Sequence, residues 1–249
     1  IGASWVAALL LAACGGDSGS DATNVSAAPP VVESTPGTGT GQPLRLTLLH
    51  INDHHSTLAE SPKTLDLALD PAPGAAATKV TVSSAGFARV TTAIRQLAAD
   101  RPDVLKLHAG DAMTGTLYFN QAGEPGQADA ALMNTVCFDA FTLGNHEFDK
   151  GDAGLKGFLD FLRAGDCRTP VLSANVAFGQ NSALHPSRAP DAVRRSVVVQ
   201  RGGQSIGLVG LTIAGKTKAS SSPDPDTTFE DEVTAAQREI DAQIGRAHV

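Results

Sequence analysis

Apolar segments of strand length alternate with segments of helical periodicity from Leu44 onward, and this alternation is the feature that most limits the possible folds. In the first helical segment, Phe87, Val90, Ile94 and Leu97 have the spacing of one helix face. Alternation of this kind predicts βαβ units, a largely parallel sheet and an α/β fold. The predicted strands are 44–51, 102–110, 138–144 and 170–176, and the predicted helices are 85–100, 126–136 and 151–165.

Three other segments complete the predicted domain. Residues 196–213 predict a β-hairpin that turns at Gly202 and Gly203, and residues 228–243 predict a final helix. Residues 56–85 fit the alternation poorly, although "LDLALD" and "TKVTVSS" are compatible with a small hairpin. The sequence contains no internal repeat that would indicate a solenoid or propeller.

The first residues, 1–14, are similar to a bacterial lipoprotein signal whose basic start is missing. The apolar run "WVAALLLAAC" is shorter than the roughly 20 residues that span a bilayer, and it ends in small residues and Cys14. We expect Cys14 to be lipidated and to anchor the protein to a membrane; an ordinary signal peptide with a chance cysteine is the alternative. Gly15 after this cysteine fits retention at the outer membrane, in the periplasm or at the cell surface. Residues 15–43 predict a flexible linker, because they contain few large apolar side chains.

Acidic residues outnumber basic ones by 26 to 19 in the 249-residue chain. A nucleic-acid surface needs a basic stripe, so this composition argues against a nucleic-acid partner. A negatively charged substrate is still compatible with it, because bound metal ions reverse the local charge. Residues 244–249 match the translation of a common sequencing-adapter DNA. We expect them to be read-through and exclude them, with His248, from the predicted site.

The unusual polar residues follow the predicted strands, each set at the point where a strand ends. In open α/β sheets, ligands bind at the carboxyl ends of the strands, so these side chains are expected at one edge. Carboxylate, amide oxygen and imidazole together suit a divalent first-row metal ion. The residues are Asp53 and His55, Asp111, then Asn145, His146 and Asp149, and finally Asn175.

Each of these motifs has a simpler explanation when taken alone. Asp53 and its two following histidines are compatible with a polar loop, and the Gly110–Asp111 dipeptide is common in turns. Asn145 is compatible with the cap of the next helix. The combination of residue types with strand-end placement favours a metal site over coincidence.

Three motifs in this order, "LLHINDHH", "GDAMTGT" and "GNHEFD", resemble those of the 5′-nucleotidase family of calcineurin-like metallophosphoesterases. The resemblance extends from about Leu44 to Gln243 and includes "GFAR" and "LSANV". Residues 115–162 are most similar to bacterial periplasmic NAD nucleotidase-like members. The resemblance implies a layered α/β/β/α sandwich in residues 44–243, an amino-terminal catalytic domain that is incomplete at its carboxy terminus.

The resemblance also implies a two-metal site whose ions are Zn, Mn, Fe, Mg or Co. Asp53 and His55 would bind the first ion. Asp111 would bridge both ions, and Asn145 would bind the second. Two such ions stabilise the attacking and leaving oxygens of a phosphoryl displacement.

His146 has a catalytic role in this comparison, in which it would stabilise the transition state or protonate the leaving oxygen. Asp149 would orient it, because a neighbouring carboxylate fixes the imidazole tautomer and favours the cation. His54 would point away from the ions. Gly144 would allow a sharp turn, and Phe148 would pack inward.

The activity implied by the resemblance is hydrolysis of AMP-like nucleotide phosphate esters outside the cytoplasm, as in a 5′-nucleotidase. A nucleotide pyrophosphatase activity that cleaves NAD is a further expectation. Hydrolysis of 2′,3′-cyclic nucleotides or nucleotide-sugars is an alternative, and a non-catalytic nucleotide-binding lipoprotein is another. The family's later His-x-Gly-like and Gly-His-x-His motifs, and its carboxy-terminal domain, are not found in these residues. We therefore expect the chain as written to have little activity and its full-length parent to be active.

Cys137 and Cys167 occupy equivalent positions, each just before a predicted strand. If the two strands are neighbours, their starts are close in space and a disulfide is possible in an oxidising compartment. Two buried thiols are an equal alternative, because the sequence does not fix the Cα separation that a bridge needs.

Overall fold

The computed structural model describes residues 8–11, 43–68 and 76–245, without the side chains of 8–11 and 244–245. The central sheet contains four parallel strands in the order β2-β5-β6-β7. Apolar side chains alternate with others along these strands and supply both faces of the sheet with core residues. The four strands are β2 (Thr47–Ile51), β5 (Val104–His108), β6 (Ala140–Thr142) and β7 (Val171–Leu172).

Helices cover one face of this sheet and form the largest apolar core. Phe87, Phe141, Phe148 and Phe158 are fully buried there. The helices that pack on this face supply apolar residues at helical spacing, as α4 does with Leu155, Phe158, Leu159 and Leu162. They are α1 (Phe87–Ala98), α3 (Gln127–Met133) and α4 (Gly151–Ala164).

A second sheet packs on the opposite face of the central sheet. Leu105 and Leu107 of β5 meet Ile206 and Leu208 of β10 in a separate apolar cluster between the two sheets. The outer face of β10 packs against Ala235 and neighbouring residues of the last helix. This sheet and its helix consist of β9 (Ser196–Arg201), β10 (Gln204–Leu211), β1 (Ala8–Leu11), which pairs in parallel with β10, and α6 (Glu232–Gly245).

The layers therefore follow the order α/β/β/α, and the predicted fold class is confirmed. The predicted hairpin is also present, because β9 and β10 pair in antiparallel register with Arg201 opposite Gln204. The uncertain segment 56–85 forms a hairpin of β3 (Glu60–Leu67) and β4 (Thr78–Ala85). Short elements absent from the sequence prediction are α2 (Leu117–Gln121), β8 (Val176–Ala177), α5 (Ala214–Ser220), β11 (Thr228–Phe229) and the 3₁₀ turn His146–Phe148.

Several sequence predictions concern residues outside the described part of the chain. Cys14 and the linker 15–43, apart from its last residue, belong to this group. The signal-peptide prediction for residues 1–14 overlaps β1, whose backbone lies beside β10. Within the described ranges, none of the helices has the length and apolar character required to cross a membrane.

Candidate metal and catalytic site

The loops after β2 and β5 lie side by side at the carboxyl edge of the central sheet. The N–H of Asp53 donates to the carbonyl of Gly110 at 3.0 Å, and the N–H of His55 donates to the carbonyl of Asp111 at 3.1 Å. These bonds continue the parallel pairing of the two strands beyond their last regular residues. The strand-end side chains predicted from the sequence are therefore brought to one place by backbone pairing.

Backbone strain is concentrated in these two loops. Among the described non-glycine residues, nine have positive φ, and five of the nine lie between residues 53 and 56 or between 111 and 114. The angle is 51° at Asp53, 43° at His55, 52° at Asp111 and 70° at the β-branched Thr114. Such conformations cost about 1–3 kcal/mol each and persist only where surrounding contacts over-determine them, which is typical of functional sites.

Close backbone contact explains the glycine that begins the "GNHEFD" motif. A Cβ on Gly144 would lie 2.2 Å from Oδ1 of Asp111 and 2.5 Å from its backbone nitrogen. The sequence prediction attributed Gly144 to a sharp turn, but its backbone does not need the left-handed region. The glycine is required because the loop after β6 touches the loop after β5 at this point.

Glu147 is a fully buried carboxyl group that holds these loops together. It accepts hydrogen bonds from the N–H groups of Asp111 at 2.9 Å, Ala112 at 2.8 Å and Gly144 at 2.6 Å. Burial raises the pKa of Glu147 to about 7, and the charge of Asp111 adds to this rise against the effect of the three N–H donors. No role for Glu147 follows from the sequence, because its partners come from two other segments of the chain.

Three predicted site residues converge at the sheet edge. Potential ligand atoms of His55, Asp111 and His146 lie within 4.8 Å of one another. The Oδ1 atom of Asp53 lies 3.5 Å from Nε2 of His55, so Asp53 borders this group without being one of the three. We call these four residues the strand-end cluster.

The donor set of the strand-end cluster fits a divalent cation. Imidazole nitrogen and carboxylate oxygen are ordinary ligands of Zn²⁺, Mn²⁺ and Fe²⁺. Burial raises the pKa of Asp111, the N–H of His146 opposes this rise, and the neighbouring carboxylate of Asp53 adds to it. A cation placed among these atoms would stabilise the buried carboxylate that the protein alone stabilises poorly.

His146 is paired with Asp149 at the edge of the strand-end cluster. Its Nδ1 atom lies 2.7 Å from Oδ2 of Asp149 and 3.3 Å from Oγ1 of Thr114. Burial lowers the pKa of His146, but the hydrogen bond and charge of Asp149, with smaller contributions from Asp111 and Glu147, raise it overall. The pair therefore favours an imidazolium whose Nε2 is the nitrogen not engaged by Asp149.

The two asparagines predicted at the sheet edge have different surroundings. Asn145 is buried immediately before His146, and its Nδ2 donates to Oγ of Ser221 at 3.4 Å. Asn175 instead ties backbone segments together, because its Nδ2 donates to the carbonyl of Thr212 at 2.8 Å and its Oδ1 accepts from the N–H of Thr212 at 2.9 Å. The fourth strand thus ends in a structural asparagine.

His54 points away from the strand-end cluster, as expected, and contacts buried residues. Phe148 is fully buried, as predicted.

Cys137 and Cys167 form a disulfide with Cα atoms 4.9 Å apart. The disulfide precedes β6 and β7, so it lies at the opposite ends of the strands from the cluster.

Comparison with known proteins agrees with this geometry. Residues 46–241 match the family model of the calcineurin-like phosphoesterases. The "Probable 5′-nucleotidase" of Treponema pallidum is 45% identical over 193 residues, which are 78% of this chain and 29% of that protein. The NAD 5′-nucleotidase of Haemophilus influenzae is 42% identical over 194 residues, again 78% of this chain and 29% of that protein.

Solved structures give the same result. The NAD nucleotidase of Haemophilus influenzae aligns with a TM-score of 0.69 and 39% identity, over 81% of this chain and 32% of that chain. A 5′-nucleotidase precursor from Thermus thermophilus aligns with a TM-score of 0.64 and 33% identity, over 81% and 35% of the two chains. The chain thus spans about a third of the length of these relatives. Since the family model covers most of its residues, the chain belongs to the calcineurin-like phosphoesterase family.

Proposed function

We propose that these residues form the metal-binding part of a hydrolase that removes phosphate from AMP-like nucleotides. The convergence of His55, Asp111 and His146 within 4.8 Å is the observation that carries this proposal. Relatives named 5′-nucleotidase, which share 33–45% identity with the chain, support the choice of nucleotides as substrates. NAD is the second candidate substrate, because the Haemophilus relative is named an NAD 5′-nucleotidase.

The proposed ligands are four strand-end residues. Asp53 and His55 would hold one divalent ion, Asn145 would hold a second, and Asp111 would contribute to both. When bound, such ions lower the pKa of water and offset the negative charge of the phosphoryl group. The short loops fix these ligands before any ion arrives, because strained backbone and backbone hydrogen bonds already hold them in place.

His146 supplies the proton in the proposed reaction. Asp149 holds Nδ1 and favours the imidazolium, which leaves Nε2 to donate a proton to the leaving oxygen or to stabilise charge on the phosphoryl oxygens. Glu147 does not face the reactants in this proposal. Its carboxylate accepts hydrogen bonds from the N–H groups of Asp111 and Gly144 and so holds their backbone in place.

We also propose an extracytoplasmic location for this enzyme, with lipid attached at Cys14 and an outer-membrane anchor facing the periplasm or cell surface. The support is the sequence alone, namely the apolar run that ends in "LAAC" and the linker behind it. Labelling of the expressed protein with tritiated palmitate tests this part. Labelled protein is expected, and Cys14→Ser should abolish the label; equal label in both forms would contradict the assignment.

The enzymatic part is tested by phosphate release from 5′-AMP in the presence of Mn²⁺. The whole protein is expected to be active, residues 1–249 alone to be nearly inactive, and His146→Asn to lower kcat by about 100-fold or more. His50→Asn is the control, because His50 is exposed on β2. Conversion of NAD to AMP and nicotinamide mononucleotide would support a nucleotide pyrophosphatase activity as well.

Three results would contradict the proposal in different ways. Cleavage of 2′,3′-cyclic AMP without cleavage of 5′-AMP would indicate a cyclic phosphodiesterase. Cleavage of a nucleotide-sugar alone would indicate a nucleotide-sugar hydrolase. Nucleotide binding without hydrolysis of any of these substrates would indicate a binding lipoprotein.

A further inference from the structure

A second group of polar residues lies behind the strand-end cluster, in the core. Nδ1 of His54 is 2.9 Å from Nε2 of His108, and Nε2 of His54 is 3.3 Å from Oδ1 of Asp129. The N–H of Gly110 lies 3.2 Å from Nδ1 of His108. We call this chain of contacts, from Gly110 through His108 and His54 to Asp129, the buried relay.

The protons of the buried relay have a single consistent arrangement. A backbone N–H only donates, so Nδ1 of His108 accepts from Gly110 and the proton of neutral His108 is on Nε2. That proton is donated to Nδ1 of His54, whose own proton is then on Nε2 and is donated to Asp129. Every ring nitrogen is satisfied without either histidine carrying a charge.

Aromatic rings fix the two imidazoles from the sides. The ring of His54 meets Phe87 edge-on at 5.0 Å between centroids. The ring of His108 meets Phe138 at 5.3 Å and Phe141 at 5.2 Å, also edge-on. Hydrogen bonds set the rotation of each ring and packing sets its position, so neither imidazole can turn without breaking several contacts.

The buried relay ends on the backbone that carries the proposed metal ligands. Asp53 and His55 flank His54 in the chain, and both have positive φ. Gly110 joins the buried relay to the loop of Asp53 and His55. Its N–H donates to His108, and its carbonyl accepts from the N–H of Asp53. Any movement of His54 or His108 is therefore transmitted to Asp53 and His55.

We propose that His54, His108 and Asp129 are positioning residues that hold the loop of Asp53 and His55 in its metal-binding conformation. This inference rests on the proposed function, from which the metal ligands are taken. A purely structural role explains the residues less well, since Oδ2 of Asp129 is buried without a hydrogen-bond partner among the described residues. An apolar group in its place would avoid that desolvation penalty.

The test is binding of Co²⁺ alone to the full chain, followed by its visible absorption spectrum, with folding checked by circular dichroism. His54→Phe keeps the ring and its contact with Phe87 but removes both hydrogen bonds. We expect Co²⁺ affinity to fall by about 10–100-fold, as for other residues that support metal ligands indirectly. His50→Phe, on the exposed side of β2, is the control and should bind as the unsubstituted chain does.

A second pair of variants decides the question if His54→Phe does not fold. Asp129→Asn keeps an oxygen that accepts the hydrogen bond from Nε2 of His54. This variant should bind Co²⁺ with nearly the affinity and spectrum of the unsubstituted chain. Asp129→Leu removes that oxygen and should show the loss. Equal Co²⁺ affinity and spectrum in Asp129→Leu and the unsubstituted chain would refute the positioning role alone. Failure of the unsubstituted chain to bind Co²⁺ would refute the metal site and, with it, this role.

Discussion

His54 and His55 are neighbours in the chain, yet they serve two different environments. The His54 side chain is 8% exposed and has both ring nitrogens engaged by protein groups. The His55 side chain is 31% exposed, and its nearest carboxylate oxygen, from Asp53, is 3.5 Å away. Their backbone conformations also differ, because φ is positive at His55 and not at His54.

The difference shows how the tripeptide Asp53-His54-His55 contributes both to a rigid buried network and to a proposed metal site. In the buried relay, protein groups engage every ring nitrogen of His54 and His108. The strand-end cluster, with His55, gathers imidazole and carboxylate groups that the protein itself leaves only partly compensated. Hydrogen-bonded imidazoles give rigidity, and that rigidity holds the neighbouring cluster ready for a cation.

Gly110→Ala should disturb both the buried relay and the strand-end cluster, and it should have the largest effect on metal binding and stability. The glycine has a φ of 101°, and an added Cβ would lie 2.5 Å from the backbone nitrogen of Gly144. The N–H of Gly110 donates to His108, and its carbonyl accepts from Asp53. We therefore expect loss of Co²⁺ binding together with destabilisation by about 2–4 kcal/mol in urea unfolding.

Gly157→Ala provides the matched control. Gly157 lies inside α4, and a Cβ there would meet nothing within 4 Å. Alanine is the better helix former, so this variant should gain about 0.5–1 kcal/mol and keep Co²⁺ binding. A Gly110→Ala protein as stable as Gly157→Ala would show that the two loops are not rigidly joined at this peptide.

Asp111→Asn should affect the strand-end cluster alone. The amide oxygen can still accept the N–H of His146, which donates to Oδ1 of Asp111 at 2.9 Å, so the loop should stay in place. Co²⁺ affinity is expected to fall by about 100-fold or more, because a charged ligand is lost. Titration of Co²⁺ measures this loss, and unchanged affinity would exclude Asp111 as a ligand.

The same variant should be slightly more stable than the unsubstituted chain without metal. Asp111 and Glu147 are two buried carboxyl groups whose charges repel each other. Removing one charge relieves that repulsion, so thermal unfolding of the metal-free protein is expected at a higher temperature. A lower unfolding temperature would mean that the Asp111 carboxylate stabilises the fold and not only the bound ion.

The buried relay should make stability depend on pH. Burial lowers the pKa of His108 well below its ordinary value of 6.5, and repulsion from a protonated His54 would lower the pKa further. Below about pH 6.5 the unfolded chain takes up a proton that the folded chain resists, so the free energy of unfolding falls. The slope for one such proton is up to about 1.4 kcal/mol per pH unit.

Urea unfolding between pH 8 and pH 5 measures this dependence. The raised pKa values of Glu147 and His146 act in the opposite direction in this range, because stability from a raised pKa increases as the pH falls. The contribution of His108 is therefore the difference between the curves of the unsubstituted chain and His108→Gln, in which the loss of stability at low pH should be smaller. His50→Gln should leave the curve unchanged because His50 is exposed. Identical curves for His108→Gln and the unsubstituted chain would assign the pH dependence to other groups.

Local patterns predicted the parallel sheet and the location of the strand-end cluster, whereas the four-layer arrangement was implied only by the resemblance to the family. Strand and helix periodicities give the element order, and the strand-end rule places Asp53, His55, Asp111 and His146 at one edge. The rule does not give side-chain direction. Asn175 also follows a strand, but its amide is used by the backbone of Thr212.

The supporting residues could not be predicted, because their partners are distant in sequence. Glu147 accepts from a backbone N–H that is 35 residues away, and Asp129 contacts a histidine 75 residues away. A glutamate inside a motif of otherwise assigned residues is a usable signal for Glu147. His108 is buried at the end of β5, and its hydrogen bonds depend on how α3 meets the sheet.

Asp149→Asn gives the finest test of the contrast between the strand-end cluster and the buried relay. It changes the proton affinity of the His146 imidazole with little change in side-chain shape. The pKa of His146 is raised only because Asp149 and more distant carboxylates outweigh burial. With a neutral amide, burial should dominate and the pKa of His146 should fall, as it does for His108. NMR titration of the metal-free protein measures this change, and Asp66→Asn, an exposed partner of Lys79 in the β3–β4 hairpin, is the control. A His146 pKa that stays raised would mean that Asp149 holds the ring without setting its charge, and proton donation would then depend on Asp111.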